Sequence, residues 1–86
     1  PIAINNEQVN RLKKLAEECM LEVDNSFTLH DFRIVNAESF TTLLFDLCIP
    51  VDSRYKDEEA AELVSAKIKE RDSSFKTVIH PEHPFV

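Results

Sequence analysis

Val9, Leu12, Ala16, Cys19, Met20 and Val23 recur at helical spacing, while Glu7, Arg11, Lys14, Glu18 and Glu22 take the other faces. That is the pattern of an amphipathic helix. It predicts a helix over about residues 6 to 22, with Asn5 or Asn6 as its cap and Gln8 in the position of a capping box. Asp24, Asn25 and Ser26 end it. From Phe27 to Val35 the period shortens to two, with His30, Phe32 and Ile34 alternating against Asp31 and Arg33, as in a half-buried strand. A turn over residues 36 to 39 follows. The chain has no glycine, so Asn36 is the residue best suited to any positive φ the turn requires.

The second strand, residues 40 to 50, puts Leu43, Phe45, Leu47 and Ile49 on one face and Leu44, Asp46 and Cys48 on the other. A strand apolar on both faces is covered on both sides. Asp57, Glu58 and Glu59 open a second helix and Lys67, Lys69 and Arg71 close it, each group suiting the helix dipole at its end. Ala60, Leu63, Val64 and Ile68 form its buried stripe. Residues 75 to 80 alternate again as a third strand, and Pro81 and Pro84 stiffen an extended tail that keeps Glu82 and His83 near the strand end. Helix, strand, strand, helix, strand predicts an α+β fold of the ferredoxin-like kind. It is an open-faced two-layer sandwich, in which a three-stranded mixed sheet carries both helices on one face. The remaining apolar face of the second strand is expected to meet a second copy of the chain in a self-complementary homodimer.

Composition narrows the possibilities. Eighty-six residues, 43% of them apolar and 30% charged, make one soluble globular domain whose small core leaves stability marginal. A net charge of -6 argues against nucleic acid, which needs clustered Lys and Arg, and favours cations around the domain. Cys19 and Cys48 form no CxxC pair, so both are expected as reduced thiols of a cytoplasmic protein. Cys19 is read as core packing. No apolar run approaches the roughly 18 residues of a spanning helix. A start at Pro1 is expected of a piece cut from a longer protein.

The candidate chemistry lies at the strand ends. His30 opens the first strand, His80 closes the third, and His83 follows in the tail, with Asp31, Asp46 and Glu82 nearby. Imidazole and carboxylate are ligands that first-row transition metals share, and strand ends hold them rigidly. No two histidines form an HxH or HxxxH pair, so spacing by itself leaves ordinary hydrogen-bonded histidines as the alternative. Asp46 is the odder residue. A carboxylate between Phe45 and Leu47 in a two-sided apolar strand must be paired, protonated or metal-bound, and Arg33 is the structural partner to weigh against a metal. Strand parity raises an obstacle, because His30 shares its parity with Phe32 and Ile34, so twist at the strand start is needed to bring it to Asp46. Enzyme chemistry is not expected. The chain lacks a glycine-rich phosphate loop, a GxSxG elbow and a recognisable Cys/His nucleophile arrangement.

HDFR at residues 30 to 33, LLFDLCIPV at 43 to 51, DEEAAELVSAKIKER at 57 to 71 and TVIHPEHP at 77 to 84 together resemble the cytoplasmic C-terminal domain of cation diffusion facilitator transporters, over nearly the whole chain. The resemblance implies a metallochaperone-like α+β fold, a homodimer, and divalent metal bound at the dimer interface to modulate an attached membrane domain that exports metal. It places metal ligands at His30, Asp46, His80 and Glu82, with Glu59 where some members carry a further histidine. His83 has no counterpart. Asp46 stands where many members have histidine, so the set is richer in oxygen. Zn2+ is the expected ion, with Mn2+, Fe2+ or Cd2+ as alternatives. A metal-bound imidazole must be neutral, so binding is expected to weaken below about pH 6.5. The rival expectation is a metal-free regulatory dimer of ferredoxin-like type in which Asp46 pairs with Arg33.

Overall fold

The computed structural model describes residues 4–84. Helix α1 runs Asn6–Val23, strands β1 and β2 run Thr28–Asn36 and Thr41–Cys48, helix α2 runs Asp57–Arg71, and strand β3 runs Phe75–Glu82. The order is the one the periodicities predict. β2 is central, antiparallel to β1 and parallel to β3, as a hairpin followed by a helical crossover requires. Leu29, Ile34, Leu43, Phe45 and Leu47 project from the sheet into one core with Leu12, Ala16, Cys19 and Met20 of α1 and Ala60, Val64 and Ile68 of α2. Both helices therefore cover the same face of the sheet, and among the described residues nothing covers the opposite face.

The helix ends are built alike. Asn5 caps α1, its Oδ1 accepting the Gln8 N–H at 2.8 Å. The Gln8 side chain does not complete the expected capping box. It pairs with Asn36 instead, Asn36 Nδ2 donating to Gln8 Oε1 at 2.9 Å and Gln8 Nε2 donating to Asn36 Oδ1 at 3.1 Å. Asn36 is buried, so its amide needs such partners, and Thr41 adds another at 2.9 Å. At their far ends both helices stop with the same four-residue pattern, Asp-x-Ser-Phe, at Asp24–Phe27 and Asp72–Phe75. In each, the serine N–H and hydroxyl donate to the aspartate Oδ1 at 2.9 and 2.7 Å. Those two donors hold both carboxyls below the usual aspartate range, and the phenylalanine N–H returns to the aspartate carbonyl. Short polar side chains that satisfy the backbone locally favour such chain reversals. The repeat sends α1 into β1 and α2 into β3 by the same turn.

Two expectations about the first strand are corrected. The hairpin turn does not place Asn36 at positive φ; Ala37 N–H bonds the Phe40 carbonyl at 2.8 Å, and among the described residues Asp31 has the positive φ, at 56°. Nor does β1 alternate without interruption. The register slips between His30 and Arg33, so that Asp31 and Phe32 together span the position opposite Phe45. This is a β-bulge. Before it the inward residues are Phe27 and Leu29; after it they are Phe32, Ile34 and Asn36. One inserted residue switches the parity of every side chain beyond it. Aspartate is among the few non-glycine residues that tolerate the left-handed region, and here Arg33 Nη1 braces it, donating to its carboxylate at 2.7 Å and its carbonyl at 2.8 Å.

Candidate metal centre

The bulge settles where His30 points. It keeps Leu29 in the core and turns His30 to the open face, directly opposite Asp46 on β2. Asp46 is in turn paired with His80 on β3, so His30, Asp46 and His80 form one row across all three strands. The next row toward the strand ends is Thr28, Cys48 and Glu82. In a sheet, residues of adjacent rows on one face stand close enough to share a ligand.

Within this grid Asp46, His80 and Glu82 offer ligand atoms all within 4.8 Å of one another, and so do His30, Cys48 and Glu82. Two ligands of one tetrahedral zinc ion, with bonds of about 2.0 to 2.3 Å, stand about 3.3 to 3.8 Å apart. Imidazole, carboxylate and thiol are donors that such an ion takes, so the chemistry of either group fits a metal. The His80 Nδ1 to Asp46 Oδ1 distance is 3.6 Å, with side-chain exposures of 74% and 29%. Asp46 is therefore less enclosed than its two-sided apolar strand suggests, because no second layer among the described residues covers the open face. Arg33, its anticipated structural partner, is bound to Asp31 at 2.7 Å and stands opposite Leu44. Thr28 Oγ1 lies 3.5 Å from His30 Nε2.

Not every anticipated residue joins. Glu59 belongs to neither group; it lies in the first turn of α2, where its carboxylate accepts the Lys56 N–H at 3.4 Å, beside Asp57, Glu58 and Glu62. His83 is a structural tie: its Nδ1 bonds the Ile49 carbonyl at 2.8 Å and its Nε2 the Asp57 carboxylate at 3.2 Å. The Ile49 carbonyl, and then Asp57, push its pKa up. Cys48 was missed as a site residue. Its signal was its position two residues beyond Asp46 on the same face of β2, but its closeness to Glu82 depends on the parallel register, which periodicity does not give. Both cysteines are free thiols.

The two-layer fold is one that solved C-terminal domains of metal transporters share. The metal-bound C-terminal domain of the CzcD transporter from Thermotoga maritima superposes with a TM-score of 0.63 at 18% identity, over 93% of this chain and 94% of that one. Two structures of CzrB, described as a proposed zinc transporter, superpose more fully. One has a TM-score of 0.73 at 21% identity, over 96% of this chain and 100% of that one. Its zinc form has 0.72 at 21%, over 94% and 90%. No family model and no curated protein matches the sequence. Among the described residues no helix is long and apolar enough to cross a membrane.

Proposed function

We propose that the chain is the cytoplasmic regulatory and dimerisation domain of a cation diffusion facilitator, a transporter that exports zinc or a related divalent metal, and that it performs no enzymatic step. The observation that carries this reading is the row His30, Asp46, His80 with Glu82 beside it on the open sheet face, in a fold shared with a metal-bound transporter domain. His30, Asp46, His80 and Glu82 are the proposed ligands. Glu59 stands apart from them, and Glu59→Gln tests its part: unchanged affinity removes it from the set.

The same face supports the homodimer. Val35 and Val78 are 53% and 57% exposed there, and half-buried Leu44 stands beside Val78 in the central strand, one row from Val35. A second copy would cover these apolar side chains beside the metal ligands. Metal that binds the compact pair more tightly than the separated one shifts the population by that difference in affinity and no more. The bias then passes to the membrane domain proposed to be attached to the chain at the cytoplasmic face of the cell membrane.

Calorimetric titration with Zn2+ and with Mn2+ at about pH 7.5 and about pH 5.5, on either side of the ordinary imidazole pKa, tests the reading together with sedimentation. The expected result is binding of micromolar affinity or tighter, weaker at the lower pH, with metal raising the dimer fraction. Absence of such binding for both ions overturns it.

A further inference from the structure

We propose that His30, Cys48 and Glu82 form a second, thiol-containing metal pocket on the open sheet face, joined to the Asp46, His80, Glu82 group through the shared Glu82 carboxylate. The inference rests on the metal-binding reading of that face and adds a distinct donor set with its own selectivity. Three observations carry it. The candidate ligand atoms of His30, Cys48 and Glu82 lie within 4.8 Å of one another. Cys48 stands opposite Glu82 in the parallel ladder, while Thr28, its partner on the other side, is two residues from His30. The Asp31 bulge that turns His30 outward brings it to this pocket and to Asp46 alike.

The two groups differ in chemistry. Asp46, His80 and Glu82 supply one nitrogen and carboxylate oxygens, a set that accepts Mn2+ as well as Zn2+. His30, Cys48 and Glu82 supply sulfur, nitrogen and oxygen, and a thiolate selects Zn2+ or Cd2+ over Mn2+. Binding there replaces the Cys48 S–H bond with a metal–sulfur bond and releases the proton to solvent. A carboxylate has two oxygens, so Glu82 can serve an ion on each side. Softer ions are thus distinguished from harder ones by how many sites they fill.

Cys19 provides an internal control. It is fully buried among α1 and α2 side chains, and burial pushes its thiol pKa up, so a metal thiolate in the folded chain reports Cys48. Titration of the full chain with Cd2+, followed by the ultraviolet thiolate-to-cadmium charge-transfer band and by bound-metal content, tests the proposal. The expected result is about two Cd2+ but about one Mn2+ per chain, with a charge-transfer band that Cys48→Ser abolishes while one Cd2+ stays bound. In the unaltered protein, Cd2+ is also expected to slow alkylation of Cys48 at least tenfold, and Mn2+ to leave it unchanged. Cd2+ binding without a charge-transfer band, or alkylation at an undiminished rate, overturns this pocket and leaves the Asp46 group standing. Failure of both ions to bind overturns the metal reading and this pocket with it.

Discussion

Phe45 and Asp46 are neighbours in one strand and live in different solvents. Phe45 is 1% exposed, stacked near Phe32 with ring centroids 6.1 Å apart, and surrounded by the helix-covered core. Asp46 faces the other way, with its side chain 29% exposed and set between two histidines. The covered face therefore holds the fold, while the open face spends little stability on its polar row and is free to bind. Substitutions should separate into the same two classes.

The largest expected effect is Phe45→Ala. Truncating a buried phenylalanine costs about 3 to 5 kcal/mol, most of what a domain this small possesses, and denaturant unfolding should show the loss with or without metal. Asp46→Ala, one residue on, should change the stability of the metal-free protein by less than about 1 kcal/mol, because its contact with His80 is long and largely exposed, yet lower metal affinity at least about a hundredfold, more than removing an outer-shell partner does. A metal-free protein that unfolds on losing Asp46 would erase the distinction between the faces.

Asp31 sharpens the comparison because it sets which face His30 joins. Asp31→Val forces a β-branched residue into the left-handed region, where the penalty is at least about 1 to 2 kcal/mol, and should weaken metal binding by releasing His30 from its row. Asp31→Gly keeps the backbone and should keep affinity within about threefold, since glycine adopts positive φ freely. Paired melting curves and titrations check both.

The smallest effect concerns His83, which ties the tail to Ile49 and Asp57. Its folded pKa is raised, so the protonated form is the one the fold favours. The stabilisation is fully present below the unfolded value of about 6.5 and is lost as pH rises through the folded value. His83→Ala should therefore lower the melting temperature of chelator-treated protein more at about pH 5.5 than at about pH 8.5; an equal drop at both would contradict the charged tie.

Much of this was legible in the chain. Helical and strand periods marked all five elements because one face of each is buried, and that burial is what writes the pattern. His30, Asp46, His80 and Glu82 stood out as polar residues at strand ends or among apolar ones. The bulge was not legible, because alternation assumes one residue per rung, and HDFR keeps an apparent period of two while Asp31 occupies an extra position. Arg33 consequently looked like a partner for Asp46 when it braces Asp31. Cys48 looked like an ordinary reduced thiol because its neighbours on β3 are fixed by a crossover connection rather than by local sequence. His83 stood open between an extra ligand and a solvent-exposed residue because no local pattern shows that the tail folds back on the start of α2.

Backbone amide resonances titrated with paramagnetic Mn2+ test the central claim most directly, since broadening maps the ion onto the chain. The account predicts the strongest broadening at Asp46, His80 and Glu82, with His30 next and the far ends of α1 and α2 spared. Broadening centred on Glu58, Glu59 and Glu62 in the first two turns of α2, or none at all, would contradict it.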